Sequence, residues 1–208
     1  MRVVLLGPPG AGKGSQAEKI SKKYGIVHIS TGNIMREFRD NKTELGYILD
    51  AYMSKGLLVP DDITLKIVKE RIEKDDCKDG YLLDGFPRTI PQAEEFESFL
   101  GVDVVINLGV DRKVILERLA GRRTCSKCSS VFHTSMIGKL SVCPKCGGKL
   151  IKRDDETDEA IAKRLEVYDL QTKPLIYFYA VLGKLEDVDG NRSVDEVFES
   201  ITDILNKL

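Results

Sequence analysis

The chain has 208 residues, of which 31% are charged and 42% hydrophobic, and its formal net charge is −1. That length is enough to bury a core, so one main domain with inserted segments is the simplest expectation. The near-neutral charge argues against a general attraction to nucleic acid or to an anionic membrane. The longest apolar runs fall short of about 18 residues, and the run at 3–6 is too short for an export signal. We therefore expect a cytoplasmic protein.

The pattern of apolar residues predicts strands that alternate with helices. In the first half we expect a strand near 2–6, a helix at 13–24, a short strand and turn at 25–32, and helices near 34–38, 45–55 and 61–74. Asp61 or Asp62 is expected to cap the last of these. Further on come a strand at 81–84, a helix at 92–100, a strand at 102–108 and a helix capped by Asp111.

The second half begins with an irregular segment at 124–151. Helices near 158–168 and 174–183, a strand at 185–188 and a helix at 194–205 follow it. We interpret the aromatic stripe at 177–179 as core. Strands and helices that alternate with short connections are typical of an α/β fold, a doubly wound parallel sheet with helices on both faces. Residues of about 30–60 would form a small helical insertion into it.

A glycine-rich turn follows the first strand: Gly7-Pro-Pro-Gly-Ala-Gly-Lys-Gly-Ser15. Its spacing fits the Gly-x-x-x-x-Gly-Lys pattern of a P-loop, in which the lysine reaches the β- and γ-phosphates of a nucleotide. The four glycines permit positive φ, and the following helix directs its positive end at the same place. Gly14 stands where a hydroxyl usually binds Mg²⁺, and the hydroxyl comes one residue later. The alternative is a glycine-rich turn that binds no ligand.

A second informative stretch ends the strand at 81–84. Asp84 is placed like the Walker-B acid of P-loop proteins, which holds Mg²⁺ directly or through water. Arg88 follows a turn and is expected to point at phosphate, because its planar fork matches phosphate oxygens. An aspartate at a strand end can also be a helix cap or a surface charge. We interpret His28 as a packed neutral histidine.

Two Cys-x-x-Cys pairs lie in the irregular segment, 14 residues apart. This spacing predicts a tetrahedral zinc site on paired hairpins, with these ligands: Cys125, Cys128, Cys143 and Cys146. A redox role is the alternative, but thioredoxin-like motifs come singly. Four thiolates complete the shell without His133, so the metal should be structural. Cys77 is interpreted as a small core side chain.

Arginines are more numerous near these motifs than one triphosphate held by Lys13 requires: Arg36, Arg88, Arg118, Arg122, Arg123, Arg153 and Arg164. Two phosphate chains placed end to end repel each other, and bridging cations offset that repulsion. The arginines therefore favour phosphoryl transfer between two nucleotides. Each arginine by itself could instead pair with a surface carboxylate. A P-loop switch and a zinc-ribbon nucleic-acid binder are rival functions, the second disfavoured by the near-neutral charge.

Four motifs in this order resemble the adenylate kinase family: the glycine-rich turn, His28-Ile-Ser-Thr-Gly32, Leu83-Asp-Gly-Phe-Pro-Arg-Thr89 with Gln92, and Gly121-Arg-Arg123. The resemblance implies reversible, Mg²⁺-dependent phosphoryl transfer from ATP to AMP, which gives two ADP and maintains the adenine nucleotide balance. It also implies a P-loop core (1–29, 60–121 and 160–208), an AMP-binding domain (30–59), a zinc-bearing β lid (122–159) and a monomer. A kinase that uses UMP or CMP as acceptor, or GTP as donor, is the nearest rival.

The resemblance also implies a role for particular positions. ATP would contact Gly10, Ala11, Gly12, Lys13, Gly14, Ser15, Arg118, Arg122 and Arg192. AMP would contact Thr31, Arg36, Met53, Leu58, Val59, Gly85, Arg88, Gln92, Arg153 and Arg164. The catalytic residues would be Lys13, Arg88, Arg122, Arg153 and Arg164, with Asp84 near Mg²⁺ through water. Asn33 departs from the family, because many members have an aspartate there.

Overall fold

The computed structural model describes residues 1–153 and 156–208. Its strands are β1 (Arg2–Leu6), β2 (Val27–Ser30), β3 (Tyr81–Asp84), β4 (Val104–Gly109), β5 (Arg122–Cys125), β6 (Val131–His133), β7 (Leu150–Ile151) and β8 (Leu185–Asp189). Five of them form a parallel sheet in the order β2-β3-β1-β4-β8. The other three form an antiparallel sheet in the order β6-β5-β7.

The helices are α1 (Lys13–Tyr24), α2 (Thr31–Asp40), α3 (Glu44–Met53), α4 (Asp61–Ile72), α5 (Ile90–Phe99), α6 (Arg112–Ala120), α7 (Thr134–Ile137), α8 (Asp158–Val167), α9 (Pro174–Val181) and α10 (Val194–Leu205). A short 3₁₀ turn covers Asp75–Cys77, and a π-helical turn at Tyr168–Thr172 joins α8 to α9. Within the described residues, none of these helices has the length and apolar character needed to span a membrane.

Strand β1 is the centre of the sheet and supplies side chains to both hydrophobic layers. Val4 and Leu6 pack on the face covered by α4, α5 and α9, whereas Val3 and Leu5 pack on the face covered by α1 and α10. Successive residues of a strand point to opposite faces, and all four side chains are buried. A strand buried on both faces reads as a continuous apolar run, which confirms the predicted doubly wound sheet.

The strand order places the glycine-rich turn and Asp84 at the same edge of the sheet. Strand β1 lies between β3 and β4, at the point where the strand order changes direction across the sheet. The glycine-rich turn follows β1 at this point. Leu5 pairs with Asp84 across β1 and β3, and Ser30 pairs with Asp84 across β2 and β3. The turns that follow these parallel strands therefore meet outside their carboxyl ends, the usual ligand site of such sheets.

Two smaller clusters of apolar side chains lie outside the main core. Helices α2 and α3 pack through Met35 and Leu49, together with Val59. Around the antiparallel sheet, the cluster of buried apolar side chains comprises Cys125, Ile137, Cys143 and Leu150 among the described residues. Each insertion thus has its own small core.

Two local predictions were wrong. Tyr179 is fully buried, but Tyr177 is 77% exposed, because a helix turns about 100° per residue and three consecutive side chains cannot share one face. Helix α4 has Pro60 as its N-cap, with no side-chain capping bond among the described residues. Asp61 is instead the first residue of α4, and its carboxylate contacts α5.

Candidate active site and metal site

The glycine-rich turn has the backbone conformation that its sequence predicts at three of its four glycines. The φ angles of Gly7, Gly10 and Gly12 are 138°, 87° and 96°, a region that side chains disfavour. Gly14 is the exception and was predicted wrongly, because it lies in the first turn of α1 without positive φ. The first turn of α1 carries no acidic residue, so its positive end is available to an anion.

Lys13 folds back across this turn. Its Nζ donates hydrogen bonds to the carbonyl oxygens of Gly7 at 2.6 Å and Pro8 at 2.9 Å. Removal from solvent lowers the pKa of Lys13 to about 8 even though the negative charge of Asp84 opposes the shift. The charges of Arg88, Arg122 and Arg164 lower this pKa further. The charges of three predicted catalytic arginines therefore act at Lys13, and the surroundings of this lysine are electropositive.

Asp84 lies beside the start of α1. A Cβ built on Gly14 would lie 3.6 Å from Asp84 Oδ2, and the Nε2 atom of His28 lies 3.6 Å from the same oxygen. Burial raises the pKa of Asp84, but the interaction with His28 and the charge of Lys13 outweigh it, so the pKa lies below its usual value. An ionised carboxylate next to a phosphate loop is a donor that fits Mg²⁺.

A cavity beside β2 and β3, which we call the acceptor pocket, brings together nine of the ten predicted AMP residues. These are Thr31, Arg36, Met53, Leu58, Val59, Gly85, Arg88, Gln92 and Arg164. The tenth, Arg153, does not line this cavity, and its Nε donates to Thr124 Oγ1 at 2.9 Å. Apolar side chains and arginines thus share one cavity, as a base joined to a phosphate would require.

The polar groups of the acceptor pocket are held by nearby backbone and side-chain atoms. Thr31 Oγ1 and Arg88 Nε both donate to the carbonyl oxygen of Gly85, at 2.9 and 2.8 Å. Arg36 donates to Asn33 Oδ1 at 2.6 Å. These bonds fix the approach of Arg36 and Arg88 to the pocket before any ligand enters.

Arg118 joins the glycine-rich turn to the loop after β8. Its guanidinium donates to the carbonyl oxygens of Ala11 at 3.2 Å, Gly190 at 2.8 Å and Arg192 at 3.5 Å. Burial lowers the pKa of Arg118. The side chain of Arg192 turns to α10 and donates to Ser200 Oγ at 2.7 Å, so its backbone is the part near Arg118.

Arg122 forms a buried ion pair that the sequence did not predict. Its guanidinium lies 2.8 Å from Glu156 Oε1, with the two side chains 14% and 0% exposed. Glu156 lies two residues before α8 and 34 positions from its partner. The sequence offers no local pattern that distinguishes this glutamate from the exposed ones around it. The pair joins the start of β5 to the segment before α8.

The four predicted cysteine ligands form one cluster. Every pair of their sulfur atoms lies within 4.8 Å, with Cys125 and Cys146 at 3.4 Å and Cys128 and Cys143 at 3.8 Å. Four sulfurs bound to Zn²⁺ at about 2.3 Å would lie about 3.8 Å apart, so the arrangement fits a tetrahedral zinc site. His133 is separate from the cluster and caps α7.

The surroundings of the cluster also suit a metal. Hydrogen bonds with Ser130 lower the pKa of Cys128, which favours the thiolate form that binds a metal. A Cβ on Gly148 would lie 2.7 Å from Cys125 Sγ, so the backbone approaches the sulfur as only glycine allows. The fifth cysteine, Cys77, is buried in the main core as predicted.

Comparison with known proteins agrees with the geometry. A family model described as "Adenylate kinase" matches residues 5–184. An adenylate kinase of Thermoanaerobacter sp. (strain X514) is 53% identical over 208 residues, which cover 97% of this chain and 96% of the relative. The adenylate kinase of Caldanaerobacter subterraneus subsp. tengcongensis is 54% identical, and the match covers 97% of this chain and 94% of the relative. That of Clostridium tetani is 48% identical, and the match covers the full length of both.

These matches span nearly the whole chain at about half identity, and they confirm the predicted family, fold and reaction class. The chain belongs to the adenylate kinase family, the nucleoside monophosphate kinases that transfer a phosphoryl group reversibly between ATP and AMP with Mg²⁺.

Proposed function

We propose that this chain performs the reaction of its family, ATP plus AMP giving two ADP, where the glycine-rich turn and the acceptor pocket meet. The observation that carries the proposal is that the positive charges of Arg88, Arg122 and Arg164 all act on Lys13 and lower its pKa. Arg88 and Arg164 also line the acceptor pocket. One group of cations therefore serves both phosphate chains, which a nucleotide hydrolase or switch does not need.

ATP is proposed to bind with its phosphates on the backbone N–H groups of 10–15 and on Lys13. The positive end of α1 and the charge of Lys13 favour this anion. The adenine of ATP would lie near Arg118 and the backbone of Arg192, which one hydrogen bond already joins. Arg122 would contact the phosphates from the opposite side.

AMP is proposed to occupy the acceptor pocket. Its phosphate would face Arg36, Arg88 and Arg164, while the base would lie against Met53, Leu58 and Val59 with Gln92 at its edge. Thr31 and Gly85 form part of the wall between base and phosphate. Arg153 would join the site from the lid, although its guanidinium is bonded to Thr124 here.

The acceptor is a phosphate oxygen that is already ionised, so the reaction needs no general base. Catalysis then depends on placing that oxygen in line with the γ-phosphorus and on stabilising the charge that spreads over the transferring group. The proposed catalytic groups are Lys13, Arg88, Arg122, Arg153 and Arg164. One arginine in this role is worth roughly 10³–10⁵ in rate.

Two metals have separate roles in the proposal. Asp84 would hold the Mg²⁺ of the nucleotide through water, and that ion neutralises phosphate charge. Cys125, Cys128, Cys143 and Cys146 would hold zinc as a structural metal, because four thiolates leave no open position for chemistry. A site of this kind contributes about 10–16 kcal/mol of apparent binding free energy, which stabilises a segment with a small core.

The domain boundaries are also a proposal. We assign the core to 1–29, 60–121 and 160–208, the AMP-binding domain to 30–59 and the lid to 122–159. Separate small clusters around Leu49 and around Cys143 support the two insertions. Asp154 and Asp155, near the end of the lid, lie outside the described residues. A lid that closes over both nucleotides would exclude water, so that AMP rather than water receives the phosphoryl group.

We further propose a monomer located in the cytoplasm, with no nucleic-acid or membrane partner. The near-neutral charge supports the absence of a nucleic-acid partner. Light scattering should give the mass of one chain, with and without nucleotides.

The function is tested by measuring ADP formation from MgATP with each of AMP, UMP, CMP and GMP and with no acceptor. We expect rapid turnover with AMP, at least 100-fold slower turnover with the other three, and little ADP without acceptor. Preference for UMP or CMP would establish the rival monophosphate kinase. Equal ADP formation without any acceptor would contradict transfer between nucleotides and favour a P-loop hydrolase.

A further inference from the structure

Two polar groups hold the amide of Gln92 at the wall of the acceptor pocket. Gln92 Oε1 accepts a hydrogen bond from the backbone N–H of Arg88 at 2.8 Å, and Gln92 Nε2 donates to Asp61 Oδ1 at 2.6 Å. Asp61 Oδ2 accepts in turn from Thr89 Oγ1 at 3.0 Å. Gln92 is 1% exposed, so water offers it little alternative.

These neighbours determine which end of the amide is nitrogen and which is oxygen. The Arg88 N–H can only donate, so it must face Oε1, and an ionised carboxylate can only accept, so Asp61 must face Nε2. In a flipped amide, Oε1 would face the Asp61 carboxylate and Nε2 would face the Arg88 N–H. Neither contact is a hydrogen bond, so buried polar groups would be left unsatisfied. Asp61 and the Arg88 N–H together impose this orientation, and without the Asp61 carboxylate only the Arg88 N–H would oppose a flip.

The fixed amide has one donor and one acceptor left in a fixed order, namely the second hydrogen of Nε2 and the second lone pair of Oε1. Adenine presents a 6-amino donor beside the N1 acceptor. Hypoxanthine has nearly the same shape but presents a 6-oxo acceptor beside an N1–H donor. An amide in one orientation matches only one of these edges, and an amide free to flip matches both.

We propose that Asp61 is a positioning residue that sets the base selectivity of the acceptor site by preventing Gln92 from flipping. The proposal rests on the assignment of AMP to the acceptor pocket. Asp61 lies 31 positions from Gln92 in the sequence and hydrogen-bonds both Gln92 and Thr89. The carboxylate of Asp61, outside the pocket lining, thus causes the site to reject 6-oxo bases.

The test compares AMP and inosine monophosphate as acceptors in the full-length, zinc-loaded protein. The variant Asp61→Asn keeps the size of the side chain but can offer either a donor or an acceptor to Gln92. Asp62→Asn is the matched control. It removes the same charge from the same first turn of α4, but at an exposed side chain. The readout is kcat/KM for each acceptor at saturating MgATP, with thermal unfolding measured alongside.

We expect Asp61→Asn to reduce the AMP-to-IMP selectivity ratio about tenfold or more, through a higher KM for AMP and a lower KM for IMP. Asp62→Asn should leave the ratio within twofold of the unsubstituted protein. If Asp61→Asn does not fold, Asp61→Ser provides a smaller hydroxyl that also donates or accepts, and the same change is expected.

A parallel loss for both acceptors, or an unchanged ratio in a folded Asp61 variant, would overturn the proposal, because it would assign Asp61 a structural role only. Failure of the proposed function has a different signature. In that case the unsubstituted protein itself would not use AMP in preference to IMP.

Discussion

At the scale of single residues, Lys13 is held in an unfavourable charged state until an anion arrives. Its surroundings lower its pKa to about 8, with burial as the main cause and neighbouring arginines as a further one. A bound polyphosphate would favour the protonated lysine and reverse this shift. The interaction therefore contributes more to ATP binding than to the stability of the free protein.

A pH dependence of ATP binding follows from that shift. The dissociation constant for ATP should rise by only about twofold from pH 7 to 8, because Lys13 goes from largely protonated to about half protonated. Above pH 8 binding must also protonate the lysine, so affinity should fall by up to tenfold per pH unit. Calorimetric titration between pH 7 and 9.5 measures this dependence.

Lys13→Arg is the matched control for the pH experiment. Arginine stays protonated over the whole range, so the variant should lose the dependence even if its affinity is weaker. The same slope in Lys13→Arg, or a flat profile in the unsubstituted protein, would show that another group titrates.

Glu156 provides a second residue-scale prediction. Glu156→Gln keeps the shape but leaves Arg122 without the opposite charge at 2.8 Å, so the free energy of unfolding should fall by about 2 kcal/mol. Urea denaturation measures it. Glu159→Gln, an exposed change on the neighbouring helix, should lie within about 0.5 kcal/mol of the unsubstituted protein. Equal effects of the two changes would contradict a structural role for the buried pair.

Individual residues differ in how far the sequence could predict them. Lys13 and Asp84 could be proposed from the sequence because each belongs to a local motif at the end of a strand. Asp61 and Glu156 were not, since their partners are 31 and 34 positions away and only the folded chain brings them together. Local pattern identifies the groups that touch a ligand more readily than those that hold such groups in place.

At the scale of elements, we expect the proposed lid to depend on a metal, because its own core is small. Its buried apolar set in the described residues is four side chains, and two of these are the zinc-site cysteines Cys125 and Cys143. Strands β6 and β7 are only three and two residues long. Backbone ordering costs more than so few contacts can offset, so the thiolate site must contribute the difference.

Removal of one ligand tests this account. Cys143→Ala should reduce bound zinc and lower the melting temperature far more than it lowers turnover at low temperature, where the lid can still close. Metal content, thermal unfolding and turnover at 15 °C or below should be measured together. Equal loss of stability and turnover, or loss of neither, would count against a purely structural metal.

Cys77→Ala is the control for the zinc experiment. Cys77 is buried in the main core and is not part of the four-cysteine cluster. Its substitution should cost about 1 kcal/mol of stability and leave zinc content unchanged. A loss of zinc in this variant would mean that metal content reports general unfolding.

Helix boundaries were predicted well where the signals are local. Helix α1 begins after a glycine in the left-handed region and ends at Gly25, and both ends lie where the sequence placed them. Helix α10 begins with a complete capping box formed by Ser193 and Glu196. Helix α4 was less predictable, because the tertiary contacts of Asp61 replaced the expected capping bond.

At the scale of the whole molecule, the topology turns separate sequence motifs into one site. The motifs around Lys13, Asp84 and Arg122 are far apart in the chain, and the order of the parallel strands brings the first two to one edge of the sheet. The alternation of apolar segments predicted this sheet. It did not predict the ion pair between Arg122 and Glu156, which are 34 positions apart in the chain.

The central claim is direct transfer of the γ-phosphoryl group between two nucleotides in a site closed to water. The most direct measurement follows ATP labelled on its γ-phosphate, mixed with AMP and enzyme in excess for a single turnover. We predict that the label appears in the β-phosphate of ADP derived from AMP, with inorganic phosphate below about 1% of the label. Label that appears mainly as inorganic phosphate would contradict the account, because water would then be the acceptor.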